Sequence, residues 1–315
     1  MKIIVTGAIG HIGSRLIHLL PNAIPGCEIV MIDNMATQRY PSLFNLPREG
    51  NFKFIEGDVA EIDLRPIFDN ADVVIQLAAI TDATASFDNA AEVEQNNFAT
   101  TAHVADACIE TGTRLFHPSS TSVYGKQDTT VDEDCAVSDL KPQSPYAETK
   151  LREEAHLQQL SKKHGLRYVT CRFGTIFGTS PGMRFHTAVN KFCWQSIMGQ
   201  PLTVWRTAMD QKRPYLDLND AAQVISMMIN QDLFDNQIYN VLTANFTVRD
   251  IIKVIKSFVP NLTVSFVESP IMNQLSYEVI FEKLQALGFS PRGDINTAIY
   301  ETIKILKQAN NININ

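Results

Sequence analysis

Lys2-Ile3-Ile4-Val5-Thr6-Gly7-Ala8-Ile9-Gly10-His11-Ile12-Gly13 opens the chain. Its first half is a short apolar run, the pattern of a strand buried on both faces of a parallel sheet. Its second half spaces glycines as G-x-x-G-x-x-G, and Leu16, Ile17 and Leu20 then recur at helical spacing. Strand, glycine turn and helix together make a phosphate-binding unit. Gly7 permits the tight turn, Gly10 lets backbone approach a pyrophosphate, and Gly13 lets the helix pack on the strand. The helix N-terminus offers N–H groups and a positive dipole end to the same phosphates.

Working outward, a second strand, Glu28 to Ile32, ends in Asp33-Asn34. An acidic side chain at that point hydrogen-bonds a ribose 2′-OH and repels a 2′-phosphate, which favours NAD over NADP. A third strand, Asn51 to Ile55, leads to Glu56-Gly57-Asp58-Val59, where Asp58 either meets an adenine amino group or caps the next helix. A fourth, Ala71 to Leu77, ends in Leu77-Ala78-Ala79, small residues against which a cofactor can lie. A helix expected from about Asn89 to Gly112 carries Asn97, read as bridging backbone at the sheet edge rather than touching substrate. Arg114 to His117 is the fifth strand, followed by Pro118-Ser119-Ser120-Thr121-Ser122-Val123-Tyr124-Gly125 at its carboxyl end, where ligands of open α/β sheets sit. Any one of these hydroxyls can equally serve a turn.

Arg167 to Phe173 is the sixth strand and enters Gly174-Thr175-Ile176-Phe177-Gly178. Beyond it come a helix from about Phe185 to Met198, a strand Leu202 to Trp205, a helix Asp220 to Ile229 and a strand Gln237 to Val241. Helices near Thr247 to Phe258, Val279 to Leu287 and from Asp294 complete a small C-terminal cap. In Gln211-Lys212-Arg213-Pro214-Tyr215-Leu216-Asp217 two cations stand beside an aromatic, either a grip for phosphate or a solvated loop. The fold class expected is α/β, a doubly wound parallel sheet with a smaller α/β C-terminal substrate domain. The first domain takes residues 1–175 and receives 217–245; the second takes 176–216 and 246–315.

At 315 residues and 45% hydrophobic composition the chain can build one large core and a smaller one. A net charge of −7 argues against a nucleic-acid-binding surface. Five cysteines, at 27, 108, 135, 171 and 193, are scattered and match no metal-ligand spacing, as suits a reducing cytoplasm. No metal is expected. Met1-Lys2 runs straight into the first strand, so no leader is expected, and no apolar run is long enough to span a bilayer. Asn310 to Asn315 reads as a frayed tail.

Pro145-Tyr146-Ala147-Glu148-Thr149-Lys150 opens a further helix. Tyr146 and Lys150 lie four apart and share a face. An ammonium beside a phenol favours the phenolate, which brings a tyrosine into range as a general base.

Taken together, these motifs resemble the extended short-chain dehydrogenase/reductase family, specifically its nucleotide-sugar epimerase/dehydratase group. The resemblance rests on Gly7, Gly10, Gly13, Asp33-Asn34, Gly57-Asp58-Val59, Leu77-Ala78-Ala79, Ser119-Ser120 before Val123-Tyr124-Gly125, Pro145-Tyr146 with Lys150, and Arg213 to Asp217. It implies a Rossmann-like domain holding NAD(H), a smaller domain holding a nucleoside-diphosphate sugar, and a homodimer formed through the helices starting near Asn89 and Pro145. The implied catalytic trio is Ser120, Tyr146 and Lys150. The implied cofactor contacts are Gly7, Ile9, Gly10, His11, Ile12, Gly13, Asp33, Asn34, Asp58, Val59, Leu77, Ala78, Ala79 and Asn97, with Tyr146 and Lys150. Substrate contacts would come from Thr81, Ser120, Thr121, Ser122, Thr175, Arg184, Arg213 and Tyr215.

Departures from the family pattern narrow the reaction. Thr121 and Ser122 stand where sugar 4,6-dehydratases carry an Asp-Glu pair, and Ser122 stands where nucleotide-sugar decarboxylases place a Glu. Thr175 replaces an Asn that contacts the diphosphate in many relatives, and Trp205 to Asp210 lacks the usual Gly-rich turn. The resemblance therefore implies C4 epimerisation through a 4-keto intermediate, or a net 4-dehydrogenation or 4-ketoreduction. A non-catalytic NAD-sensing protein is the remote alternative, disfavoured because Tyr146 and Lys150 are both retained.

Overall fold

The computed structural model describes residues 1–81, 90–127, 129–268 and 277–309. Along the chain run β1 (Lys2–Thr6), α1 (His11–Ala23), β2 (Glu28–Asp33), β3 (Asn51–Glu56), α2 (Arg65–Phe68), β4 (Val73–Gln76), α3 (Ala90–Thr111), β5 (Arg114–Ser120), α4 (Pro145–His164) and β6 (Tyr168–Phe173). There follow β7 (Thr175–Phe177), α5 (Ala188–Ile197), β8 (Leu202–Trp205), β9 (Lys212–Asp217), α6 (Leu218–Asn230), β10 (Ile238–Val241), β11 (Ala244–Thr247), α7 (Val248–Phe258), β12 (Val264–Val267), α8 (Glu282–Ala286) and α9 (Ile295–Lys307).

Seven parallel strands form the main sheet in the order β10-β6-β5-β4-β1-β2-β3. The order reverses between β1 and β4, so their carboxyl ends part and leave a crevice, the ligand position of open α/β sheets. Helices cover both faces of its interior, which is why β1, β2 and β4 read as continuous apolar runs, while the edge strand β3 alternates. Alternation along β1 divides its side chains. Ile3 and Val5 join a core with Leu16, Ile17 and Leu20 of α1 and Val224 and Ile225 of α6. Ile4 joins the opposite core, with Phe68, Val104, Cys108 and Leu157. The α/β fold expected from the sequence is the fold observed.

A separate core gathers Phe177, Val189, Cys193, Ile251, Ile255, Ile299 and Ile303 from β7, α5, α7 and α9. Two small sheets flank it, β11-β9-β7 and β12-β8. No helix of the described residues is long and apolar enough to cross a membrane.

Several boundaries differ from expectation for identifiable reasons. β5 continues three residues past His117, through Pro118. Its pairing with β4 ends at Phe116, so Pro118 stands where only β6 runs alongside, a position that tolerates a residue without an N–H. Lys212 to Asp217 is strand β9 rather than a loop, paired to both β7 and β11. The helix expected over 279–287 is cut to Glu282–Ala286. Asn245 holds the Val279 backbone at both ends: its Nδ2 donates to the Val279 carbonyl at 2.9 Å and its Oδ1 accepts the Val279 N–H at 3.1 Å. Asn89 and the tail from 310 lie outside the described residues.

Candidate active site

The glycine turn is built by close approach of backbones. Gly7 has φ +61°, and a Cβ there would stand 2.7 Å from the Ala78 nitrogen. A Cβ at Gly13 would meet the Gly7 carbonyl oxygen at 2.4 Å. Both positions therefore need glycine to join β1, α1 and the end of β4. Thr6 fastens the same junction, its hydroxyl oxygen accepting the Leu77 N–H at 3.0 Å. No side chain caps α1 at Gly10, so its first N–H groups face the crevice without a competing acceptor. At the end of β2, Asp33 accepts the N–H groups of Ile9 at 3.2 Å and Met35 at 3.0 Å. Burial pushes the Asp33 carboxyl up, and those two N–H groups with Arg39 pull it back only in part. Uncapped helix, bare turn and acidic strand end fit a dinucleotide.

The remaining residues expected around a cofactor divide. Asn34 donates from Nδ2 to Asp58 Oδ2 at 2.9 Å, and Asp58 Oδ1 accepts the Ala60 N–H at 2.9 Å, so Asp58 serves its own turn. Val59 packs beside Leu64 and Phe68, and Ile9 and Ile12 are also turned toward apolar surroundings; all three can offer a ligand only backbone. Asn97 is spent on Ile80, accepting its N–H and donating to its carbonyl, each at 2.8 Å. That is the bridging arrangement, and it leaves the amide with little to give a ligand. His11 turns toward the second core, its Nδ1 2.7 Å from the Ser180 hydroxyl. Burial, with Arg184, Arg39 and His186 around it, lowers the imidazole to about 3, so it stays neutral.

Ser14 and Gly182, which sequence reasoning missed, complete that contact. The Gly182 N–H donates to Ser14 Oγ at 2.9 Å, and a Cβ on Gly182 would lie 2.2 Å from the Ile9 carbonyl oxygen. The Ser180-Pro181-Gly182 turn was the only available signal. It seats the 178–187 loop on the glycine turn, and from that loop the Arg184 Nη1 donates to the Thr81 hydroxyl.

Tyr146 and Lys150 lie in the first turns of α4, started by Pro145 and capped by Ser144, whose Oγ accepts the Ala147 N–H at 3.2 Å. The helix packs on the short turn 121–124 that follows β5, which places it beside Ser120. Lys150 Nζ stands 6.0 Å from the Tyr146 ring centroid. Ser120 Oγ lies 2.8 Å from Ser122 Oγ and accepts the Ser122 N–H at 3.2 Å. Thr121 donates to the Phe173 carbonyl at 3.3 Å and lies 3.5 Å from the Tyr277 hydroxyl.

The phenol does not behave as the Tyr-x-x-x-Lys spacing suggests. Burial pushes it up, Lys150 and Arg184 pull it down, and Glu153 adds to the rise; the balance lies above the ordinary value. Burial is the larger cause, and Lys150, whose Nζ donates to Glu153 Oε2 at 2.7 Å, does not reverse it. Burial lowers Lys150 itself, but Glu153 and Tyr146 more than offset that and hold it above its ordinary value.

Of the substrate residues expected, Thr175 begins β7 opposite Tyr215 in register. Tyr215 is 2% exposed, its ring packed in the second core against Phe246. Arg213 is half-buried on β9; burial pushes the Tyr277 phenol up, and Thr121 and then Arg213 act against that rise. Its neighbour Lys212 is exposed and pairs with Glu278 at 3.0 Å. Among the described residues no cluster could hold a metal ion.

The family model described as NAD dependent epimerase/dehydratase family matches residues 3–241. A curated relative, the trifunctional UDP-glucose 4,6-dehydratase/UDP-4-keto-6-deoxy-D-glucose 3,5-epimerase/UDP-4-keto-L-rhamnose-reductase of Arabidopsis thaliana, is 30% identical over 96% of this chain and 46% of its own length. The chain thus spans about half the length of that relative and of two similar ones from the same plant. Among solved structures, a UDP-glucuronic acid 4-epimerase from Bacillus cereus in complex with UDP-4-deoxy-4-fluoro-glucuronic acid and NAD has TM-score 0.88 and 26% identity over 98% of this chain and 100% of that one. A UDP-N-acetylglucosamine 4-epimerase from Methanobrevibacter ruminantium shares the fold, with TM-score 0.86 at 24% identity over 98% of each chain. The glycine turn, the acidic end of β2 and the Tyr146–Lys150 helix thus stand within a match that runs from β1 to β10, and the chain belongs to the NAD dependent epimerase/dehydratase family.

Proposed function

We propose that this protein is an NAD-dependent nucleotide-sugar 4-epimerase working through a 4-keto intermediate. The observation that carries the reading is the pairing of an intact Tyr146–Lys150 helix with hydroxyls, not carboxylates, at 121 and 122. Elimination of water across C5 and C6 needs an acid and a base there; Thr121 and Ser122 supply neither. NAD, when bound, supplies hydride acceptance and return at C4. Tyr146 exchanges the proton of the 4-hydroxyl, Ser120 orients that oxygen, and Lys150 holds the nicotinamide ribose. Asp33 receives the adenosine ribose and the α1 N-terminus the pyrophosphate. Residues 1–175 with 217–245 form the cofactor domain, and 176–216 with 246–315 the substrate domain. The placement of β10 in the main sheet and of α5, α7 and α9 around a second core supports that division.

The test is to incubate the protein with NAD and, in turn, UDP-glucose, UDP-glucuronic acid, UDP-N-acetylglucosamine and dTDP-glucose, following the sugar by proton NMR. Inversion at C4 of one of them is the expected result, with no net NADH. Stoichiometric NADH without inversion points to a 4-dehydrogenase, loss of the C6 hydroxyl to a dehydratase, and no change in any sugar defeats the proposal.

The same reading includes a homodimer through α3 and α4. These two helices pack side by side, and on their shared outer surface Arg152 lies 4.9 Å from the Phe98 ring centroid and pairs with Glu94, while the His156 ring is tilted at 52° against Phe98. Sedimentation velocity is expected to return twice the chain mass, and Phe98→Glu with Arg152→Glu to return the single mass. A monomeric wild type would refute this part alone.

A further inference from the structure

Behind the Tyr146–Lys150 pair the fold buries a carboxylate that the chemistry above leaves unused. Glu153 lies one turn beyond Lys150 on α4 and is 0% exposed. Its Oε2 accepts from Lys150 Nζ at 2.7 Å and from His117 Nε2 at 2.9 Å. His117 comes from β5 and is equally buried, and its Nδ1 lies 3.4 Å from the Thr170 hydroxyl of β6. Burial holds that imidazole below its ordinary value, and with an ionised carboxylate, which only accepts, 2.9 Å from Nε2, the ring's one proton belongs on Nε2. Burial pushes the Glu153 carboxyl up, and Lys150 with His117 more than reverses the rise, so it is ionised. The cluster is therefore one cation, one anion and one neutral ring.

Packing alone does not account for it. Glu153 Oε1 has no hydrogen-bond partner, an expensive state for a sealed carboxylate. An apolar side chain would fill the same space and leave the Lys150 ammonium free to act on the phenol. The charged and titratable groups that face Glu153 are Lys150 and Tyr146 on its own helix, His117 on β5, the adjacent Glu154 with its partner Arg172 of β6, and Arg184 across the site beyond Tyr146.

We propose that Glu153, anchored by His117, is a positioning residue that fixes Lys150 Nζ from behind and sets how strongly that ammonium acts on the Tyr146 phenol. This rests on Tyr146 and Lys150 being the catalytic pair. Its consequence is a tyrosine that holds its proton more firmly than a bare Tyr–Lys pair would, the form that donates to a 4-keto oxygen.

The experiment is an ultraviolet difference titration of phenolate on the full chain with NAD added, subtracting Tyr146→Phe from the parent to isolate Tyr146. Glu153→Gln keeps an oxygen for Lys150 and His117 and removes the charge. The Tyr146 midpoint is expected to move to lower pH in that background. A midpoint that stays put in folded Glu153→Gln overturns the proposal. Should Glu153→Gln not fold, side-chain carboxyl carbon NMR of the wild type decides. A Glu153 resonance already ionised where ordinary glutamates still titrate is expected; one protonated at neutral pH overturns it. Failure of the catalytic assignment looks different, as turnover surviving in Tyr146→Phe.

Discussion

Tyr146→Phe is expected to lower kcat by about 10²- to 10⁴-fold, the range supplied by a positioned proton donor and acceptor, while NAD binds as tightly as before. The substitution removes one oxygen and keeps the ring. The Lys150 ammonium, 6.0 Å from the ring centroid, keeps its neighbour and its Glu153 partner. The start of α4 is set by Pro145 and the Ser144 cap, neither of which the hydroxyl touches. A fall in kcat with unchanged NAD affinity therefore reads the chemistry of the phenol alone. Isothermal titration with NAD and the NMR assay of C4 inversion measure the two quantities on the same preparation. Retention of the rate to within about tenfold, roughly 1.4 kcal/mol of barrier, would assign the proton transfer to some other group. Ser120→Ala should cost less, because Ser120 already shares its hydroxyl with Ser122 and orients the sugar oxygen rather than moving its proton.

The parts of this molecule that were legible in the sequence are those in which local chemistry decides. Gly7 and Gly13 could be read because only glycine fits where backbones meet at 2.7 and 2.4 Å. The apolar runs of β1, β2 and β4 could be read because strands covered on both faces need no polar alternation. Lys212 to Asp217 reads in sequence as either a phosphate grip or a solvated loop because its strand partners, β7 and β11, are distant in sequence; that pairing packs the Tyr215 ring in the second core. The state of the Tyr146 phenol was out of reach for a similar reason. Lys150 and Glu153 are one turn apart on the same helix, but their burial, and the approach of His117 from 36 residues earlier on β5, come from the packed sheet. Spacing on a helix reports which charges are near; the sheet determines how deeply they are sealed.

The pairing next to Glu153 carries the larger consequence for stability. Glu154 accepts from Arg172 twice, Nε to Oε1 at 3.0 Å and Nη2 to Oε2 at 2.7 Å, and from the Ser119 hydroxyl at 2.5 Å. Both charged side chains are 4% exposed, and Arg172 also lies 5.0 Å from the Tyr124 ring centroid. Three elements, α4, β5 and β6, thus meet at one carboxylate. Glu154→Ala leaves a guanidinium sealed from water with no anion, and the expected cost is about 3–5 kcal/mol, a large part of the roughly 5–15 kcal/mol that keeps a domain folded. Glu94→Ala breaks a pair of about the same chemical kind with Arg152, but both of those side chains are 52% exposed, so less than about 1 kcal/mol is expected. Urea unfolding of the two variants, measured side by side, makes the comparison. The desolvation argument has a further consequence that separates it from simple loss of contact. Replacing both partners, Glu154→Leu with Arg172→Met, removes the stranded charge and should recover most of the loss. If the double variant is no more stable than Glu154→Ala, the cost lies in the junction at Ser119 and not in the buried cation. Ser119 precedes Ser120, so the same variant would then loosen the strand end that carries Ser120.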